Sequence, residues 1–196
     1  MIPTMDAVLL QTALSFAFSG TKGFNPVLSY SEKWVRWRTN VGPSTCTYCA
    51  EQNGKIFEHK ELPPQEPPVH ERCKCEIEKL LAILAGTATI DGDSGADYLM
   101  RHLNVLPDNY VSKQSAIQNG WKNNKGNLWQ VMPGSNIGGD VFFNSKGKLP
   151  NFPGRIWYEA DINYTGGYRN SHRLLYSNDG LIFATYDHFK TFYEIN

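Results

Sequence analysis

The second half of the chain is cut at short intervals by turn residues. From Val131 onward Pro133-Gly134, Gly138-Gly139, Gly147, Gly154, Gly166-Gly167 and Asn178-Asp179-Gly180 follow one another, and the segments between them alternate apolar with polar side chains. Such punctuation excludes long helices and implies short antiparallel strands joined by tight turns, with the Asn-Asp-Gly group as a hairpin signal. Helical patterns come first: Asp97 to Leu103 offers Tyr98, Leu99, His102 and Leu103 for packing, and Ser112 fits an N-cap to a helix from Lys113 to Asn119, with Gly120 beyond its end. Helices first and strands later predict an α+β domain, with N-terminal helices packed on an antiparallel β-sheet.

Strand alternation then defines two faces. Between Arg155 and Ile162, Ile156, Tyr158, Ala160 and Ile162 share the side that faces the helices. Trp157, Glu159 and Asp161 share the other. A lone Glu159 there would be solvated surface, but Arg169 and Arg173 return beyond Gly166-Gly167, and His188 follows. A carboxylate beside two anion binders suits phosphoryl transfer.

The first half has another character. Ala7, Leu10, Leu14 and Ala17 recur at helical spacing; with Asp6 before the run, Gln11 and Thr12 inside it and no basic leader, it reads as a packed or interfacial helix and not as a signal peptide. Trp34 and Trp37 alternate with Lys33, Arg36 and Arg38, which suits a strand or short helix packing its indoles; binding of single-stranded nucleic acid by stacking and charge is the alternative reading. All 4 cysteines fall in this half, at Cys46, Cys49, Cys73 and Cys75, with His70 close to the second pair. Four of these five side chains would satisfy a structural zinc ion; disulfides, or reduced buried thiols, are the alternative readings. Ile77, Leu80, Leu81 and Leu84 form a helical stripe ended by Gly86. Residues 86–95, rich in glycine, aspartate, serine and threonine, read as a linker. The expected organisation is a Cys/His module over 1–85, a linker over 86–95 and a second domain over 96–196.

Two resemblances add to this. The words Cys46-x-x-Cys49, Asn53-Gly54-Lys55, Phe57, Pro67-Pro68, His70 and Cys73-x-Cys75 resemble the C-terminal part of phage Mu F-like head morphogenesis proteins over Trp37 to Glu78, without that group's larger N-terminal portion. That likeness implies a shortened member tied to a phage particle or a secretion machinery. The second half resembles barnase-type microbial ribonucleases of the guanyl-preferring class. Its carrying words include Leu106-Pro-Asp-Asn-Tyr110, Ile137-Gly-Gly-Asp140, Gly147-Lys-Leu-Pro150, Glu159-Ala-Asp-Ile-Asn-Tyr-Thr165, Arg169-Asn-Ser, Arg173 and Asp187-His188.

The second resemblance implies metal-free cleavage of single-stranded RNA to a 2′,3′-cyclic phosphate. It makes Glu159 the general base and His188 the general acid. Lys113, Arg169 and Arg173 hold the phosphate, and Asp140 is a buried acid orienting those cations. Phe142, Asn144 and Phe189 contact the base. In the base-reading loop Lys146 stands where the family has a carboxylate and Ser145 where it has an arginine; a lysine only donates, so guanine preference is expected to relax. Phe189 replaces a tyrosine and keeps a ring for stacking.

Lys+Arg and Asp+Glu both number 19, so bulk charge makes no case for a duplex binder. No stretch of about 20 apolar residues is present to span a membrane. A ribonuclease behind a delivery-type module implies a toxin that is secreted, delivered to a target cell or carried on a phage particle, with a small acidic barstar-like immunity protein as partner. A non-enzymatic phage head or adaptor protein and a secreted digestive ribonuclease are the alternatives.

Overall fold

A computed structural model describes residues 24–196; the expected helix over Ala7 to Ala17 lies outside them. The elements in order are β1 (Leu28–Thr39), α1 (Thr47–Gln52), β2 (Ile56–Glu58), β3 (Cys75–Ile83), α2 (Ala96–Leu103), β4 (Tyr110–Val111), α3 (Lys113–Gln118), α4 (Leu128–Val131), β5 (Asn136–Phe142), β6 (Trp157–Asp161), β7 (Arg173–Ser177), β8 (Ile182–Thr185) and β9 (Tyr193–Ile195). The strands make one sheet of 9, ordered β2-β1-β3-β9-β8-β7-β6-β5-β4. All neighbours are antiparallel except β3–β9 and β4–β5.

The α+β expectation holds, but the first half differs from its reading in two ways. It is no separate layer: β1 to β3 extend the same sheet, and β3 joins β9 at the C-terminal edge. The Ile77–Leu84 stripe is no helix: Ile77, Leu80 and Leu81 lie in strand β3, and Leu84 follows it, exposed. Within β3, Leu80, Ala82 and Ile83 are buried, and the pairing with β1 runs through Trp37↔Ile77 and Tyr30↔Leu81. Apolar runs this short satisfy both periods, and the long partner strand β1 decides between them.

Residues 86–95 are packed rather than extended. Ala88 is wholly buried and Thr89 nearly so. Asp97, itself buried, accepts hydrogen bonds from the Gly86 and Ala88 amides at 2.8 and 2.9 Å and from the Thr89 hydroxyl at 2.7 Å. A Cβ at Gly95 would lie 1.9 Å from Thr89 Oγ1. Glycine serves here for close approach, and the compositional sign of a linker misleads for that reason. The same carboxylate turns α2 from the expected face: Ala96, Asp97 and Met100 are buried, while Leu103 is exposed.

The two sheet faces carry separate cores. Ala96, Met100, Ala160, Ile162, Leu174 and Ala184 pack on the α2 side. On the other side Trp157, Leu175 and Phe183 meet Trp34, Ile56 and Leu80 from the first half. Both tryptophans of β1 are buried, as the packed-indole reading requires. The sheet curls enough that the Ile56 amide in β2 donates to the Lys148 carbonyl in the β5–β6 loop at 2.9 Å.

Candidate active site

The site is built on one face of β6. Side chains there alternate, and antiparallel partners in register share a face. Asp140 on β5 lies opposite Glu159, and Arg173 on β7 lies opposite Asp161. Thr185 on β8 continues the second row opposite Arg173. Between β6 and β7 the chain turns at Gly166, whose φ is +95° and where a Cβ would sit 2.8 Å from the Trp129 ring. Glycine at that position lets Arg169 swing back over the face.

Asp161 is the hub. It is fully buried and accepts from Arg169 Nε at 2.6 Å and Nη2 at 2.7 Å, a bidentate pair, while Arg173 Nε stands 2.9 Å from its second oxygen. Burial opposes the charge on both guanidiniums, yet they shift in opposite directions. Arg169, with two bonds to Asp161, moves above the usual arginine value; Arg173, buried more deeply and held by one contact, moves below. Both stay cationic, since arginine does not deprotonate in proteins. Arg173 Nη1 also donates to the His172 carbonyl at 2.6 Å, which fixes the plane of its fork.

Glu159 faces the same space. Its side chain is only 13% exposed and accepts a hydrogen bond from Lys113 Nζ, so it lines the site instead of pointing into solvent. Lys113 opens α3, where the Ser112 hydroxyl accepts the Ser115 amide at 3.1 Å as an N-cap. Its own amide, one of the helix's unpaired donors, goes to Asp140 Oδ2 at 3.0 Å. Asp140 therefore differs from its expected part: it is half-buried and caps α3, and the buried acid gripping the arginines is Asp161. The signal for Asp161 was present in the β6 alternation, which sets it beside Glu159 and opposite a returning arginine.

His188 leaves the sheet just past β8 in a turn with φ of 58°, followed by Phe189 at 65°. Two non-glycine residues in the left-handed region cost on the order of 1 kcal/mol or more each, and hydrogen bonds hold them. Asp187 Oδ1 accepts from the Thr185 hydroxyl at 3.0 Å and from the Lys190 and Thr191 amides at 3.1 and 2.9 Å; Thr185 Oγ1 accepts the Phe189 amide at 3.1 Å. Burial would raise the Asp187 carboxyl, but these donors bring it below its ordinary value. The imidazole is exposed, with its ring edge-on to Phe189.

Beside it opens a cleft of about 350 Å³ lined by Phe142, Ser145, Lys146, Lys148, His188 and Phe189. Phe142 and Phe189 stack at 5.0 Å between centroids. Among the described residues no carboxylate lines the cleft, so its polar side chains mainly donate. Asn144, expected to contact a base, spends its side chain within the loop: Nδ2 donates to the Leu149 carbonyl and to Asn151 Oδ1, and Oδ1 accepts the Leu149 amide. It lines the cleft and at the same time holds the loop in shape. Lys148 Nζ bridges to the Phe189 and Lys190 carbonyls at 3.3 and 3.2 Å and ties this loop to the His188 turn. Burial, then Lys146, moves its ammonium below the usual lysine value.

The metal candidates Cys46, Cys49, His70, Cys73 and Cys75 are brought together elsewhere, around α1 and the start of β3. All four thiols are free. Burial pushes Cys49 far up; at Cys73 burial also acts upward, but the Cys75 and Val69 amides and neighbouring thiols bring it down to about 7. Among the described residues no helix is long and apolar enough to cross a membrane.

Comparison with known proteins places the chain in a family. The ribonuclease family model matches residues 93–196. The chain is 47% identical over 137 residues to a ribonuclease of Bacillus intermedius, covering 70% of this chain and 83% of the relative. It is 55% identical over 103 residues to a ribonuclease of Heyndrickxia coagulans, covering 53% and 94%, and 54% identical over 112 residues to one of Bacillus pumilus, covering 57% and 67%. The family match spans every residue of the site from Lys113 to His188, and on that ground the chain belongs to the ribonuclease family.

Proposed function

We propose that the chain is an endoribonuclease that cuts single-stranded RNA by metal-free transphosphorylation. The observation that carries the reading is the grouping of Glu159, Lys113 and the Asp161-held pair Arg169 and Arg173 on one sheet face, with His188 on the turn after β8, its amide bonded to the Ser171 carbonyl two residues before Arg173. Glu159 takes the proton of the ribose 2′-hydroxyl, whose oxygen attacks phosphorus. His188 gives its proton to the departing 5′-oxygen, and a 2′,3′-cyclic phosphate results. Water then opens the ring with the two roles exchanged. Attacking and leaving oxygens lie on opposite sides of phosphorus, so one base and one acid are needed. Arg169, Arg173 and Lys113 offset the charge growing on the equatorial oxygens.

Base recognition is assigned to the Phe142–Phe189 cleft. Lys146 donates and cannot accept, so the guanine Watson–Crick edge lacks a carboxylate partner in this cleft and guanine preference relaxes. Glu159→Ala and His188→Ala each lower cleavage by about 10²–10⁴-fold; variants that cut RNA at the parent rate overturn the assignment.

The biological role we assign is that of a toxin domain in a phage-derived or polymorphic system, secreted or delivered to a target cell, with an acidic barstar-like immunity protein closing the site. Lys146, Lys148 and Lys190 along the cleft give such a partner its charge complement. The Mu F-like words before residue 79 support delivery or particle attachment. Expression in a bacterial cytoplasm arrests growth, and Glu159→Ala relieves the arrest; equal growth of both strains contradicts the toxin role.

A further inference from the structure

The geometry points to a structural zinc site in the first half, with Cys46, Cys49, His70 and Cys73 as its ligands. Four observations lead there, and none depends on the ribonuclease reading. Cys49 belongs to two groups whose ligand atoms all lie within 4.8 Å of one another: Cys46, Cys49 and His70, and Cys49, Cys73 and Cys75. The spacing suits coordination and not a disulfide. Zinc–sulfur bonds of about 2.3 Å and zinc–nitrogen bonds of about 2.0–2.1 Å in a tetrahedron put neighbouring ligand atoms roughly 3.6–3.8 Å apart. Cys49 Sγ lies 3.7 Å from His70 Nε2 and 3.9 Å from Cys73 Sγ.

The surroundings are those of a ligating histidine and a ligating turn. His70 Nδ1 lies 2.8 Å from the Glu71 carbonyl, and the tautomer that donates there leaves the Nε2 lone pair facing Cys49. A backbone carbonyl behind a metal-bound imidazole fixes its orientation in this way. Cys46 caps α1, its sulfur accepting the Cys49 amide at 3.4 Å, so the Cys-x-x-Cys turn aims both sulfurs at one point.

Five side chains compete for four places, and Cys75 is the one left out. It opens β3 in register with Thr39, and its sulfur lies 3.3 Å from Thr39 Oγ1. Its sulfur also lies within 4.8 Å of those of Cys49 and Cys73, but the Thr39 hydroxyl gives it a partner of its own, and on that ground it is left out. Three ligands then come from thiols that lose their protons on binding and one from a neutral imidazole, a Cys₃His set.

The ion would close the proline-rich loop that runs from β2 to β3, which has little regular structure of its own between Lys60 and Lys74. It would also fasten α1, whose exit leads through Gly54 to Ile56 and so to the loop that carries Lys148. Metal would thereby brace the back of the base-reading loop without entering the chemistry.

The full chain, expressed in zinc-supplemented medium and purified under reducing conditions, is weighed intact by native mass spectrometry. A single zinc ion per chain is expected, with cobalt exchange giving the thiolate charge-transfer and tetrahedral d–d bands. Cys49→Ser and Cys73→Ser lose the ion, whereas Cys75→Ser keeps it at the parent stoichiometry. Should the ligand variants fail to fold, the parent's mass and cobalt spectrum still decide. Parent protein without stoichiometric metal, or with its cysteines in disulfides, overturns the site; loss of zinc from Cys75→Ser together with retention by Cys46→Ser overturns the ligand set. RNA cleavage in the same samples reads the nuclease assignment separately, because apo protein still cuts.

Discussion

Asp161 holds Arg169 by two parallel hydrogen bonds of 2.6 and 2.7 Å from a position with no solvent exposure. The carboxylate makes a phosphate-binding pair of guanidiniums possible on a crowded sheet face, because two cations side by side repel unless one buried anion lies between them. Removing that anion does more than remove a contact. Asp161→Asn leaves Arg169 and Arg173 against a neutral amide, and a cut of this kind in a buried ion pair costs about 3–5 kcal/mol. Urea denaturation of parent and variant measures it; a loss within about 0.5 kcal/mol, the range of ordinary surface substitutions, contradicts the hub.

The turn that presents His188 rests on Thr185 as well as on Asp187. Thr185→Val keeps the shape but removes the hydroxyl that accepts the Phe189 amide and donates to Asp187. The account expects kcat to fall about tenfold with KM little changed, as positioning of the acid is lost while the arginines still bind phosphate. Steady-state cleavage of a short RNA gives both constants. A rise in KM at unchanged kcat contradicts the positioning role.

Burial and then the neighbouring Arg173 place the His172 imidazole below its ordinary range. The neutral ring is the folded form, and unfolded chains take up the proton first. Its contribution to stability is therefore fully present above the unfolded value of about 6.5 and is lost as pH falls from there towards the folded value. His172→Gln flattens this part of the stability–pH curve. Melting temperatures across that window check it, and an unchanged slope in the variant counts against the assignment.

Lys146 gives the cleft a donor where guanine needs an acceptor. Lys146→Glu is expected to raise the ratio of cuts after guanosine to cuts after the other bases by about five- to a hundredfold, the discrimination a paired base edge provides. Sequencing of fragment ends from a mixed RNA pool reads it directly. An unchanged cut distribution removes the loop from specificity.

Much of the site was legible in the sequence because strand alternation is a strict period. Glu159 and Asp161 had to share a face, and the glycine pair had to return the arginines to it. The hidden parts depend on contacts between distant segments. That the Asn144 amide, at the cleft wall, is also bonded to Leu149 and Asn151 shows only in the folded loop. Residues 86–95 have a linker's composition but are packed around Asp97, a role no local pattern announces. The strand β3 read as a helix because the short run Ile77, Leu80, Leu81, Leu84 satisfies either period, and only its pairing with β1 and β9 settles the matter.

The central claim is that the residues on this face cut RNA by using the substrate's own 2′-hydroxyl. Its most direct test is to incubate the full chain with a short RNA in excess chelator and weigh the fragments. The account predicts fragments ending in 2′,3′-cyclic phosphate, formed at the same rate with or without chelator. Intact RNA, or fragments that form only when a divalent ion is restored, would contradict it.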